Sequence, residues 1–409
     1  MANHQGKHVV VVGGGLAGLV TAWKLQDAFR VTVMESTPRL GGQIDAITTS
    51  SSAQEYQVEP NTQTVSSHAQ PQLMNLISEL SLTDKVCWVN PSLMIMRGLD
   101  EVQYNAPMTF RRLGLSLQED NREVLKEVIG LNREIRRLVH EQPNISALDW
   151  AQSVRGRNLV LDLISAINGC NLQEGEEYQI GQAFGMQGIT GPVRMARDYY
   201  RLEGGFRQLI DSILDRLEVN IVGTKPVVAI RHSNDGFDVS SDVVTVHADY
   251  VVMACPPAES ARLLPNLPWS GQPKRVLEQF NVQSRRVALH TDSTWMPRNP
   301  AHWSSFNIVR SADRCQMTVW CSQYNEWPIS IFRSWLFEDG DRPDGLIKQR
   351  SYDVPIMDSS FVGAQKKLAR LQGRLGLWFA GSYVQGSNNL QSAYLSALAV
   401  VESIAAEEL

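Results

Sequence analysis

His8 to Val12 reads HVVVV, and Gly13-Gly14-Gly15-Leu16-Ala17-Gly18 follows it directly. A short β-branched run of this kind suits a parallel strand buried on both faces. The glycines satisfy GxGxxG, and Leu19 to Leu25 continues as a helix. Arg30 to Met34 (RVTVM) predicts a second strand, which ends at Glu35. This order restricts the fold because each glycine answers a separate steric demand. Gly13 permits a tight turn, Gly15 lets the backbone approach a pyrophosphate, and Gly18 lets helix and strand pack closely. With Leu16 and Ala17 counted in the cofactor-binding turn, the N-terminus of the helix that follows offers its first N–H groups and partial positive charge to phosphates. Glu35, 17 residues beyond Gly18, is placed to accept hydrogen bonds from both ribose hydroxyls. A 2′-phosphate is repelled there, which disfavours NADP. The competing reading is a glycine-rich turn in some other α/β domain.

The continuation is Glu35-Ser36-Thr37-Pro38-Arg39-Leu40-Gly41-Gly42. It resembles the second glycine-rich segment of the flavin amine oxidase superfamily, which includes amine oxidases, amino-acid oxidases, protoporphyrinogen oxidases and phytoene-type desaturases. The resemblance implies an α/β protein, with a Rossmann-type (glutathione-reductase-like) FAD-binding domain and a second, mixed α+β substrate domain. It implies FAD, taken as non-covalent, with Arg39, Gly41 and Gly42 at the pyrophosphate. There Arg39 is a planar, fixed cation; the plainer alternative is an exposed Arg beside a turn. Members often carry a further Arg after the glycines, where this chain has Gln43.

The likeness runs on in pieces. Val58-Glu59-Pro60-Asn61-Thr62, followed by Leu73 to Leu82, resembles the segment that passes the flavin ring and enters a helix, which brings Asn61 and Gln63 near the ring. The usual glycine before the proline is absent. Phe206, Leu209, Ile210, Ile213, Leu214 and Leu217 form one helical stripe after Glu203-Gly204-Gly205. Lys225 to Ile230 resembles the strand whose backbone at Val227 pairs with adenine. Ala248 to Ala254, then Cys255-Pro256-Pro257, resembles another strand and exit turn. Leu377 to Ser382 reads as strand then turn, and Leu390 to about Ala405 as a final helix. By the resemblance, Gly381 and Ser382 lie at the cofactor and the Leu390 N–H donates to flavin O2. Ser382 replaces a frequent acid, and Asn389 replaces the aromatic that walls the amine cage, which makes a simple monoamine oxidase less favoured. Arg285 or Arg286 falls near the lysine that orders a water at N5.

This organisation predicts a discontinuous FAD domain from 1–70, 202–267 and 370–409. Residues 71–201 and 268–369 then form the substrate domain, as a helical part plus an antiparallel sheet. Val124, Val128, Leu131, Ile135 and Leu138 recur at 4, 3, 4 and 3, an amphipathic helix. Its basic face suggests a membrane surface, but interleaved acids favour a solvated face. The sheet is expected from Arg286 to Leu289, Trp303 to Val309, Gln316 to Ser322 and Ile329 to Phe337.

A formal charge of −5 without a Lys/Arg block argues against a nucleic-acid partner. Five cysteines without CxxC fit a reducing compartment, here the cytoplasm. No apolar run is long enough to cross a membrane, which leaves peripheral contact open.

Catalytic side chains are sparse. His290 and Asp292 at i, i+2 share a strand face and fit an acid–base pair; a solvated hydrogen bond at a strand end is the plainer reading. No spacing marks metal ligands. Trp303, Trp320, Trp335 and Tyr394 are candidate pocket walls with Gln63 and Asn389, although aromatics in sheets usually serve the core. Three functions follow. The first is an FAD oxidase or dehydrogenase taking a hydride from a C–N or C–C unit of a small molecule to flavin N5, with oxygen or a quinone as acceptor. The second is a desaturase or double-bond isomerase acting on an unsaturated acyl or polyene substrate. Leu289 to Asp292, Met296-Pro297 and Trp303 to Asn307 prompt it, since that stretch is similar to FAD-binding proteins associated with fatty-acyl modification. The third is a non-catalytic flavoprotein subunit.

Overall fold

In a computed structural model of the chain, the described residues are 6–51, 54–67, 69–106, 141, 144–153, 157–187, 199–233, 235–264, 271–338, 340 and 342–407. Five strands form a parallel sheet in the order Asn220–Val222, Arg30–Met34, His8–Val12, Tyr250–Met253, Leu377–Phe379. His8–Val12 is buried along its whole length, because both faces of the sheet are covered. Val9, Val11, Val31 and Val33 meet the helices Leu16–Leu25 and Leu390–Glu407 on one side. Val10, Val12, Met34 and Met253 meet a three-stranded antiparallel meander, residues 229–248, on the other. The stripe Phe206, Leu209, Ile210 and Ile213 is buried on the helix Arg207–Leu214 and its lead-in. Full burial of each such side chain stabilises by roughly 1.5–3 kcal/mol. Gly204 and Gly205, at φ +78° and +83°, reverse the chain just before that helix.

A seven-stranded sheet stands against this unit. Its order is Leu346–Pro355, Val282–His290, Phe332–Leu336, Cys315–Trp320, Phe306–Arg310, Leu93–Arg97, Glu101–Ala106. All pairs are antiparallel except Phe306–Arg310 with Leu93–Arg97. The helix Arg157–Asn168 packs on one face, against Cys315–Trp320.

Several expectations need correction. The stretch 71–201, expected to be helical, also supplies two strands of this sheet. Leu93–Arg97 was unreadable as a strand because it is apolar without alternation (LMIMR) and nearly all buried. The segment expected as a strand over Lys225 to Ile230 becomes one only at Ala229, since Pro226 has no N–H for a ladder. The strand expected through Ser322 ends at Trp320, and Cys321–Asn325 is a short helix. The amphipathic helix around Val124 to Leu138 lies outside the described residues. Among the described residues no helix is long and apolar enough to cross a membrane, no cluster of three or more His, Cys, Asp or Glu could hold a metal, and the five cysteines are free.

Candidate active site

A cavity of about 630 Å³ opens outside the carboxyl ends of the parallel strands, between them and the seven-stranded sheet. Such crevices are where open parallel sheets bind ligands. Its first wall is the N-terminal glycine turn. A Cβ on Gly13 (φ +115°) would stand 2.6 Å from the Ala254 carbonyl oxygen, and one on Gly18 only 2.0 Å from that of Gly13. Gly13, Gly15, Leu16 and Ala17 line the cavity, whereas Gly18 lies beneath the turn. The helix Leu16–Leu25 starts without a side-chain cap and without an acid in its first turn. Its opening N–H groups are therefore available to an anion.

Glu35 faces the same space. Its Oε2 accepts the Gly14 N–H at 2.7 Å, and its Oε1 accepts the Thr37 N–H at 2.8 Å and hydroxyl at 2.9 Å. Gly41 donates its N–H to the Gly14 carbonyl at 2.7 Å. A Cβ on Gly42 (φ +58°) would come within 3.1 Å of the Gly15 Cα, so the two glycine turns touch backbone to backbone. Gln43 lines the wall beside them and accepts from Asn61 Nδ2 at 3.4 Å. Arg39, expected at a pyrophosphate, is exposed beside the cavity and is not among the residues that line it. Its guanidinium donates to the carbonyls of Ile44 and Gly42, both at 2.8 Å, and lies 3.5 Å from Asp45. It braces the Gly41-Gly42 turn, since those acceptors lie three and five residues on in the same loop.

The C-terminal segment closes this side. Gly381, Ser382, Asn389 and Leu390 all line the cavity. The Gly381 N–H donates to Ser396 Oγ at 2.9 Å, and Ser382 Oγ donates to Asn388 Oδ1 at 2.6 Å. Asn389 Oδ1 accepts the Ser392 N–H at 2.8 Å, capping the last helix. The Leu390 N–H has no protein acceptor among the described residues. Val227 also lines the wall, but its carbonyl already accepts from Arg262 Nη2 at 3.1 Å.

The far wall is one face of the seven-stranded sheet. Val319 pairs with Arg333, and Arg333 with Leu289, so these point to one face. Phe306, Ile308, Met317, Val319, Arg333 and Trp335 meet the cavity. The intervening residues point the other way. His290, Trp320 and Phe332 are cross-strand neighbours on that opposite face. Trp335 is therefore a wall residue, and Trp303 and Trp320 are not. Those two rings meet edge to face at 5.3 Å, with Trp303 Nε1 bonded to the Pro297 carbonyl at 2.8 Å. Tyr394 is likewise off the cavity, its hydroxyl 3.2 Å from Glu79.

His290 and Asp292 do not form an acid–base pair at the cavity. His290 is fully buried, its Nε2 is 3.0 Å from Ser334 Oγ, and burial depresses its pKa to about 4. Asp292 lies past the strand end, where it accepts from Thr294 and the Asp344 N–H. A one-residue parity and a turn separate them from the cavity.

Two residues of consequence were not singled out from the sequence. Glu59 accepts the N–H groups of Phe206 and Arg207, both at 2.9 Å, and burial pushes its pKa up to about 7. Arg333 is 4% exposed, lines the cavity and forms no ion pair among the described residues. Its signal was a lone charge inside the apolar run Ile329 to Leu336.

The profile of the family described as flavin containing amine oxidoreductase matches residues 16–328. The chain belongs to this family. It is a flavin-dependent oxidoreductase. Its fold is shared with a provisionally assigned protoporphyrinogen oxidase from Exiguobacterium sp. 255-15 (TM-score 0.67, 18% identity, 98% of this chain and 99% of that one). It is shared also with a CLA-producing fatty acid isomerase from P. acnes (0.69, 12%, 97% and 98%). Putrescine oxidase bound to putrescine gives 0.69, 15%, 98% and 99%. At these identities the likeness is one of fold. No curated protein matches the sequence.

Proposed function

We propose that this flavoenzyme uses FAD, bound without a covalent link, and that a small-molecule substrate gives up a hydride from a C–N or C–C unit within the cavity. The observation that carries the reading is that the N-terminal glycine turns (Gly13, Gly15 to Ala17, Glu35, Gly41-Gly42) and the remote C-terminal residues Gly381, Ser382, Asn389 and Leu390 meet on one cavity wall. The close backbone packing of the two glycine turns supports a dinucleotide: a Cβ at Gly13 would strike the Ala254 carbonyl and one at Gly42 the Gly15 backbone, whereas Gly15 has room at the cavity wall. When bound, the flavin supplies a hydride acceptor. The protein does the rest. The uncapped start of Leu16–Leu25 holds the pyrophosphate, and Glu35 accepts from the ribose hydroxyls. The free Leu390 N–H and the dipole of its 18-residue helix favour negative charge at the flavin O2 edge. The apolar sheet face excludes water and holds the substrate carbon in place.

We assign 1–70, 202–267 and 370–409 to a glutathione-reductase-like FAD domain and 71–201 with 268–369 to the substrate domain. In support, every strand of the parallel sheet falls in the first set and every strand of the seven-stranded sheet in the second. Oxygen or a quinone serves as electron acceptor.

A second reading, a desaturase or double-bond isomerase on an unsaturated acyl substrate, is favoured by the apolar wall of Leu163, Ile167, Phe306, Ile308 and Val319. The test is direct. Denatured protein should release about one FAD per chain. Anaerobic bleaching of the holoprotein with amines or amino acids supports the oxidase. Double-bond migration in an unsaturated acid without net bleaching supports the isomerase. Absence of flavin overturns both, and a flavin shielded from every substrate in a stable complex would mark a non-catalytic subunit.

A further inference from the structure

Arg333 sits in the middle of the strand Phe332–Leu336 and is 4% exposed. Its Nε donates to the Pro60 carbonyl at 3.0 Å, and its guanidinium carbon stacks 3.8 Å from the centre of the Trp335 ring. Neither Nη nitrogen has a protein acceptor among the described residues. The other charges on the wall are engaged or outside: Arg262 pairs with Glu259 at 2.8 Å, Glu35 holds Gly14 and Thr37, and Asp353 is exposed. The ionisable neighbours of Arg333, the Cys321 thiol and the Tyr352 hydroxyl, are both pushed up to about 12 by burial and stay neutral. A buried cation without a counter-charge is costly, and one carbonyl and one ring offset only part of that cost. A planar fork with free donors matches a carboxylate. Around it the wall is apolar: Leu163, Ile167, Phe306, Ile308, Val319 and Trp335.

We propose that Arg333 anchors the carboxylate of the substrate, so that this enzyme acts on apolar monocarboxylic acids. The inference rests on the reading of the cavity as a substrate pocket beside FAD. An aliphatic acid and an aromatic amino acid present the same group, and the test separates them.

The experiment is calorimetric titration of the holoprotein with linoleate and with L-phenylalanine, each against its methyl ester. Flavin content is measured on the same samples. The expected result is that one of the acids binds about tenfold or more tightly than its ester, and the acid that does so identifies the source. In Arg333→Met that preference should fall to within about twofold, while Arg333→Lys should keep part of it. Flavin content and near-ultraviolet circular dichroism, unchanged in Arg333→Lys, distinguish lost recognition from lost folding. Equal affinity of acid and ester in the wild-type holoprotein overturns the proposal. So does a preference that survives Arg333→Met, or no heat from either acid at millimolar concentration. A protein that takes up no FAD refutes the oxidoreductase reading separately, since calorimetry still reports whether the acids bind.

Discussion

Arg333 and Trp335 stand two residues apart on one strand, with the guanidinium carbon 3.8 Å from the ring centre. The ring is itself pinned. Its Nε1 donates to the Ala166 carbonyl at 3.0 Å, and Gly169 at φ +63° lies so close that a Cβ there would be 2.5 Å from the indole. The helix Arg157–Asn168 thus orients the tryptophan, and the tryptophan orients the arginine. A charged group held this way loses little further freedom on meeting an anion.

Gly18→Ala should unsettle the nucleotide turn. The added Cβ would fall 2.0 Å from the Gly13 carbonyl oxygen, so helix and strand must separate. Overpacking of this kind costs roughly 1–3 kcal/mol. Thermal denaturation should show the loss, together with a fall in flavin bound per chain. An unchanged melting temperature with full flavin would contradict the packing argument.

Glu35→Gln tests the ribose assignment. The carboxylate now holds the Gly14 N–H at 2.7 Å and three groups of Ser36 and Thr37. The amide keeps the volume but trades an acceptor oxygen for a donor. FAD affinity should drop by about 10- to 100-fold, as for loss of charge-assisted hydrogen bonds. Equilibrium titration of the apoprotein with FAD measures it, and wild-type affinity would remove Glu35 from the site.

Glu59 should make stability depend on pH. Burial raises its folded pKa to about 7 against an ordinary value of 4.5. The folded state therefore holds its proton more tightly than the unfolded state. That contribution is complete below pH 4.5 and is lost as pH rises to about 7. Relative to Glu59→Gln, wild type should lose on the order of 2 kcal/mol across this window. Parallel urea midpoints for the two proteins from acid to neutral pH would refute it.

His290 should act in the opposite sense. Its folded pKa is depressed to about 4 by burial, from 6.5. The unfolded chain takes up the proton first, so stability is lost as pH falls from about 6.5 towards 4. His290→Gln should abolish that loss, which is on the order of 2 kcal/mol. The same variant should leave the shape of the pH–rate profile unaltered, because the imidazole lies on the sheet face away from the cavity. A profile that loses a limb in His290→Gln would return the residue to the chemistry.

The features legible in the sequence were those set by neighbouring residues. The turn from Val12 to Gly18 demands glycine wherever a Cβ would strike backbone, and that constraint is local. The stripe from Phe206 to Ile213 and the final helix from Leu390 are likewise periodicities of one element. What the tertiary structure alone decided was orientation. Whether Trp335 or Trp320 walls the cavity depends on which sheet face the helix Arg157–Asn168 covers, and strand composition is blind to that. Arg333 acquired meaning only when the strands around it were in place, since its lack of an ion pair among the described residues depends on what distant segments bring to it.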